Sequence, residues 1–92
     1  MYAIVYSGRY KKAYKKLHKS GRYDLSKLDQ ILKILLSNQP LPKQYQDHQL
    51  KGKLKEMREC HVFSDLLLVY KKDQERLLLL LLNLGNHAEL FK

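Results

Sequence analysis

Four histidines, His18, His48, His61 and His87, are the side chains of this 92-residue chain that titrate close to neutral pH. His18 sits among lysines and reads as a surface residue. The other three keep polar company: Asp47 precedes His48, Asp65 follows His61 by four residues, and Asn86 precedes His87. They admit three readings. They are unrelated surface and loop residues, or a metal site, or a metal-free acid–base set. The metal reading has poor spacing, with no His-x-x-x-His and no Cys-x-x-Cys, so neither a metal nor a cofactor is expected. In the acid–base reading one imidazole takes a proton while another gives one. RNA cleavage needs that pair: the 2′-hydroxyl must lose a proton to attack phosphorus, and the departing 5′-oxygen must gain one. The charge that builds on phosphorus needs nearby cations. Lys53, Lys55 and Arg58 are candidates, unless they form a solvated charged face.

Those side chains depend on a scaffold. Tyr2–Tyr6 is aromatic and β-branched and predicts a first strand. Ser7 follows as a possible helix cap. From Gly8 to about Lys19, Tyr10, Tyr14 and Leu17 share a helical face and lysines fill the rest, up to Ser20-Gly21. Asp24 caps a second predicted helix carrying Leu25, Leu28, Ile31, Leu32, Leu35 and Leu36, which stops before Gln39-Pro40. Lys53–Phe63 has partial alternation, with Leu54, Glu56, Arg58 and Cys60 on one side and Lys55, Met57, Glu59 and His61 on the other. Leu66–Tyr70 and the leucine block Arg76–Leu82 read as two further strands by their length and flanking turns, although leucine favours helix. Ala88–Phe91 is short enough for one helical turn. The expected fold is α+β in the order β-α-α-β-β-β: one domain, residues 1–92, with two N-terminal helices on one face of a small, mainly antiparallel four-stranded sheet. Three imidazoles would then meet at one rim of that sheet.

Composition narrows the classes. Residues 1–46 hold ten basic and two acidic side chains, a balance of +8; residues 47–92 hold eight and seven, a balance of +1. A basic half favours a polyanionic partner: nucleic acid, the ribosome, an acidic protein or an anionic membrane. A single cysteine, Cys60, excludes a disulfide-stapled scaffold. The apolar run Leu77–Leu82 is far short of the roughly 20 residues that cross a bilayer. The first residues lack the charged start and long apolar stretch of a signal peptide, so a cytoplasmic location is expected. The segment Gly8–Lys19 is a weak membrane anchor, because its apolar face is tyrosines and one leucine.

Four blocks carry a resemblance: Asp47-His48-Gln49-Leu50-Lys51-Gly52, Arg58-Glu59-Cys60-His61, Asp65–Tyr70, and Leu84-Gly85-Asn86-His87-Ala88-Glu89-Leu90-Phe91, with Gln39–Tyr45 ahead of them. In this order and with these gaps they resemble the YafQ branch of the RelE/ParE toxin superfamily. The resemblance implies a toxin of a bacterial type II toxin–antitoxin pair that cuts mRNA on the ribosome. It implies an active site of His48, His61, Asp65, His87 and Phe91. His87 would be the general acid, and His48, His61 and Asp65 would share the base and orienting roles. Phe91 would stack on a base, with a terminal apolar plug as the lesser alternative. A cognate acidic antitoxin is implied as partner, regulating its own DNA as part of the pair.

The chain departs from the family pattern at Asn83, where relatives commonly carry an arginine that stabilises the phosphate. An amide donates hydrogen bonds without charge or a five-donor fork. Arg58 or a lysine would have to substitute, or the nuclease would be weak. The alternative function is therefore a weak or inactive toxin that acts by binding gyrase or RNA. Leu54 and Leu66 also stand where relatives often have tryptophan.

Overall fold

A computed structural model describes residues 2–91. In chain order the elements are β1 (Ala3–Tyr6), α1 (Gly8–Ser20), α2 (Ser26–Leu36), β2 (His48–Gln49), β3 (Arg58–Phe63), β4 (Leu66–Asp73), β5 (Leu78–Gly85) and α3 (His87–Leu90), with single 3₁₀ turns at Lys43–Tyr45 and Gly52–Leu54. The strands form one five-stranded sheet in the order β1-β5-β4-β3-β2. β1 runs parallel to β5, and every other pairing is antiparallel.

The local signals act as their chemistry requires. Ser7 Oγ accepts from the Tyr10 amide and donates to the Leu82 carbonyl at 2.7 Å, so one hydroxyl caps α1 and ties it to β5. Gly21 closes α1 in the left-handed region at φ 63°, which glycine adopts without steric cost. The expected cap of α2 differs: Asp24 accepts from the Ser26 amide at 3.1 Å in the turn ahead of the helix, while the N-cap position falls on Leu25, whose side chain makes no capping bond. Tyr10 from α1 and Leu28, Ile31 and Leu35 from α2 pack on Cys60, Val62, Leu66, Leu68, Tyr70, Leu79, Leu81 and Leu84 of the sheet. Removing this apolar surface from water is the main drive for the fold. Leu67 and Val69 are buried too, but outside that cluster, because alternation turns them to the opposite face. We call that second surface the open face.

The sheet differs from expectation at β2, β3, β4 and β5. It has a fifth strand, β2, where the sequence reads as loop. Two residues carry no periodic signal; pairing is imposed by His48↔Glu59 and Gln49↔Arg58 and by the Leu50 amide on Met57 O at 3.0 Å. β3 begins at Arg58 rather than Lys53, because residues 52–56 are all exposed and no face of them has a core to bury. β4 extends to Asp73, and β5 runs over Leu78–Gly85 rather than Arg76–Leu82. β5 also carries an irregularity, since Tyr70 pairs with Leu81 but Val69 pairs with Asn83. The extra residue, Leu82, bulges. Strict alternation after Leu79 and Leu81 would have put Asn83 in the core; the bulge puts Leu84 there and Asn83 on the open face.

Candidate active site

The open face is organised in two rows of paired residues. His48, Glu59, Val69 and Asn83 lie side by side across β2, β3, β4 and β5. One pleat further on, His61, Leu67 and Gly85 form the next row. His48 and Asn83 are three strand spacings apart, roughly 14 Å. Residues at the two ends of the row therefore cannot exchange a proton directly.

His48 is held from both sides. Its Nδ1 lies 2.8 Å from the Gln46 carbonyl, which can only accept, so Nδ1 bears the hydrogen in this contact. The other ring nitrogen, Nε2, stands 3.6 Å from Glu59 Oε1, an ion pair when the ring is protonated. Glu59 is only 4% exposed and is the one buried charged side chain among the described residues. A carboxylate so withdrawn from water is costly without a cation partner, and His48 Nε2 is the nitrogen that faces it. Sequence reasoning placed Glu59 on the face of His61 but gave it no role; a carboxylate two residues from a candidate histidine on a strand was the available signal.

The backbone before His48 is anchored from the other face. Arg58 Nη2 donates to Asp47 Oδ2 at 2.9 Å, its Nε donates to the same carboxylate, and the Tyr70 hydroxyl donates to Asp47 Oδ1. Hydrogen bonds to Asp47 hold the Arg58 guanidinium more firmly protonated than usual. Burial, helped by Asp47, pushes the Tyr70 hydroxyl well above the ordinary phenol range. Arg58 was expected among the RNA contacts, but its fork is committed to Asp47 on the helix-packed side. Lys55 lies with Gln49 and Arg58 on that side too. Lys53 is exposed on the 3₁₀ turn beside Leu54.

The end of β5 positions the last histidine. Asn86 Oδ1 accepts from the Glu89 amide at 2.8 Å and Glu89 Oε1 accepts from the Asn86 amide at 2.9 Å, a reciprocal cap on α3. A side chain on Gly85 would come within 3.1 Å of Glu89 Oε1, so glycine permits this close approach. The exposed His87 ring then lies 4.9 Å from the Phe91 ring, centroid to centroid. Phe91, Asn83 and Val69 border a cavity of about 580 Å³ on the open face, with Leu50, Leu54, Met57 and Leu90 around it. The Asn83 side-chain oxygen accepts from the Leu84 amide at 2.9 Å, which leaves its NH₂ as the group facing outward.

The sequence-predicted residues thus separate. His48 and His61 project from the open face, Asn83 and Phe91 meet at its cavity, and His87 borders Phe91. Asp65 is turned elsewhere: its carboxylate accepts from the Tyr23 hydroxyl at 2.9 Å and from Arg22 at 3.3 Å, both in the loop between α1 and α2. Burial and this contact raise the Tyr23 hydroxyl above its ordinary range. Leu66 is fully inside the core. His18 is exposed and rests on Tyr14. Among the described residues, no group of three His, Cys, Asp or Glu side chains is arranged to hold a metal ion, and no helix is long and apolar enough to cross a membrane.

Known proteins share this fold. The family described as bacterial toxin of type II toxin–antitoxin system, YafQ, matches residues 2–92. The mRNA interferase toxin YafQ of Escherichia coli K12 is 40% identical over 89 residues, covering 96% of this chain and 94% of that protein. The crystal structure of a metal-bound toxin from Helicobacter pylori superposes with a TM-score of 0.92 at 45% identity, covering 99% of this chain and 100% of the other. YafQ in the E. coli DinJ–YafQ complex superposes with a TM-score of 0.89 at 36% identity over the full length of both.

Proposed function

Because the chain belongs to the YafQ family of bacterial toxins from type II toxin–antitoxin systems, we propose that it cuts mRNA by histidine acid–base chemistry on the open face of its sheet. The chain is an mRNA interferase, an endoribonuclease, and its partners are mRNA, the ribosome and a cognate antitoxin. The reading rests on one observation above the rest: His48 Nδ1 is held on a backbone carbonyl, which leaves Nε2 on the open face beside a buried carboxylate.

In this mechanism His48 Nε2 takes the proton of the 2′-hydroxyl as that oxygen attacks the adjacent phosphorus. Glu59 then faces the imidazolium that forms. His87, across β3 and β4, gives a proton to the departing 5′-oxygen. The products are a 2′,3′-cyclic phosphate and a 5′-hydroxyl end, and the two histidines exchange their protons with water before the next cycle. Base and acid act on opposite sides of one phosphate. His61, between them on the same face, donates to a non-bridging phosphate oxygen. Phe91 stacks on a base over the apolar cavity. Asp65 acts from a distance, holding the turn between β3 and β4 against the helices. The site of action is the cytoplasm, where mRNA is translated. The acidic antitoxin lies against the basic half and brings with it the DNA-binding part that regulates the pair.

Adding the chain to ribosomes translating a defined mRNA, then mapping 5′ ends, tests this. New ends carrying a 5′-hydroxyl are expected, and a 2′-deoxy nucleotide at the cut site abolishes them. Transcripts left intact while E. coli YafQ cuts them in parallel would overturn the reading.

A further inference from the structure

Phosphoryl transfer builds negative charge on the phosphate oxygens, and the open face must offer a cation to meet it. Position 83, in the floor of the cavity beside Phe91, offers an uncharged amide. Two arginines of the chain are spoken for: Arg58 by Asp47 on the far side of the sheet, and Arg22 by Asp65. Arg76 sits at the opposite end of β5 and pairs with Asp73.

Arg9 is different. It is the second residue of α1, it is exposed, and it forms no ion pair with a described residue. It is also the single charged side chain lining the cavity that Asn83 and Phe91 share, among the described residues. Its placement is built in rather than incidental. The Ser7 amide donates to Leu81 O at 3.0 Å and the Ser7 hydroxyl donates to Leu82 O at 2.7 Å, so the first turn of α1 is clamped to the bulge that turns Asn83 outward.

We propose that Arg9 supplies the guanidinium for the scissile phosphate, reaching across from α1 to the oxygens above Asn83. This rests on the nuclease reading and extends it by assigning the charge that position 83 lacks. The planar fork gives two parallel donors to two phosphate oxygens, and it stays protonated throughout the cycle. The Asn83 NH₂ adds a neutral donor to the same group. Binding that tightens as charge develops accelerates the reaction rather than only holding the RNA.

The test compares wild type with Arg9→Ala, Arg9→Lys and the double variant Arg9→Ala/Asn83→Arg on ribosomes translating a defined mRNA. Arg9→Ala should lower kcat on the order of 10²–10³-fold with a much smaller change in KM. Arg9→Lys should recover part of that loss, and Asn83→Arg should restore most of it. Arg9 is exposed, so unchanged circular dichroism and melting temperature are expected for Arg9→Ala. Wild-type cleavage matched by Arg9→Ala overturns the assignment alone, as does a loss confined to KM, which would make Arg9 a docking cation. A wild-type chain that cuts nothing overturns the assignment together with the reading beneath it.

Discussion

His48 Nε2 lies 3.6 Å from the carboxylate of Glu59, and the two residues are direct cross-strand partners on β2 and β3. The ring's other nitrogen is fixed on a backbone carbonyl, so the imidazole has one free corner and that corner faces a buried acid. This pair is what gives a two-residue strand its place in the proposed chemistry. It also sets stability against activity, because a carboxylate removed from water costs free energy unless a cation faces it.

Glu59→Gln should therefore separate those two properties. Cleavage should slow by about tenfold, since the imidazolium loses its counter-charge. Melting temperature should hold or rise, because a buried charge is gone. Thermal melts and single-turnover cleavage on the same preparation measure both; a variant that melts lower yet cuts at the wild-type rate contradicts the pairing.

His87→Ala should lose cleavage by roughly 10²–10⁴-fold, the usual contribution of a positioned general acid. The side chain is exposed at the start of α3, so the fold should survive. Expression of this variant should no longer arrest growth. Growth arrest that persists without mRNA cuts would favour a toxin acting by binding.

Arg58→Ala should act through stability. Removing the guanidinium leaves the Asp47 carboxylate, whose side chain is 20% exposed, with the Tyr70 hydroxyl as its remaining side-chain donor. A cost of about 2 kcal/mol is expected from the lost charge-assisted bonds. Urea denaturation measures it. An unchanged midpoint, with mRNA affinity reduced instead, would return Arg58 to the RNA-contacting set.

Cys60 should resist alkylation. Burial pushes its thiol up to about 12, with the Asp47 and Glu59 charges adding to the effect. The native state therefore keeps the proton that an unfolded thiol releases at its ordinary value of 9.0. That preference is fully present below this ordinary value and is lost progressively as pH climbs from it toward 12. Iodoacetamide at pH 8 should label Cys60 only after urea is added, as mass spectrometry would show.

Periodicity made the helices readable before any coordinates. Tyr10, Tyr14 and Leu17 on α1 and the leucines of α2 mark their buried faces because a helix repeats every 3.6 residues. Glu59 and His61 share a face for the equally local reason that a strand repeats every two. The cap at Ser7 and the stop at Gly21 are likewise written in single residues. The resemblance that runs through Asp47–Gly52, Arg58–His61, Asp65–Tyr70 and Leu84–Phe91 pointed to the family without any of these distances.

Partnerships between distant segments are another matter. Asp65 bonds Tyr23 across 42 residues, Asp47 bonds Tyr70 across 23, and Ser7 bonds Leu82 across 75. Nothing local encodes those choices, because any acid in the chain could in principle meet any donor. They follow from strand register and from the bulge at Leu82, which are set when the whole core packs at once. So the residue types, the helices and the family were determined by the sequence itself. Which face Asn83 looks from, where Arg58 spends its charge and that Arg9 borders the cavity were decided only by tertiary packing, since burial of one sheet face fixes what the other must carry.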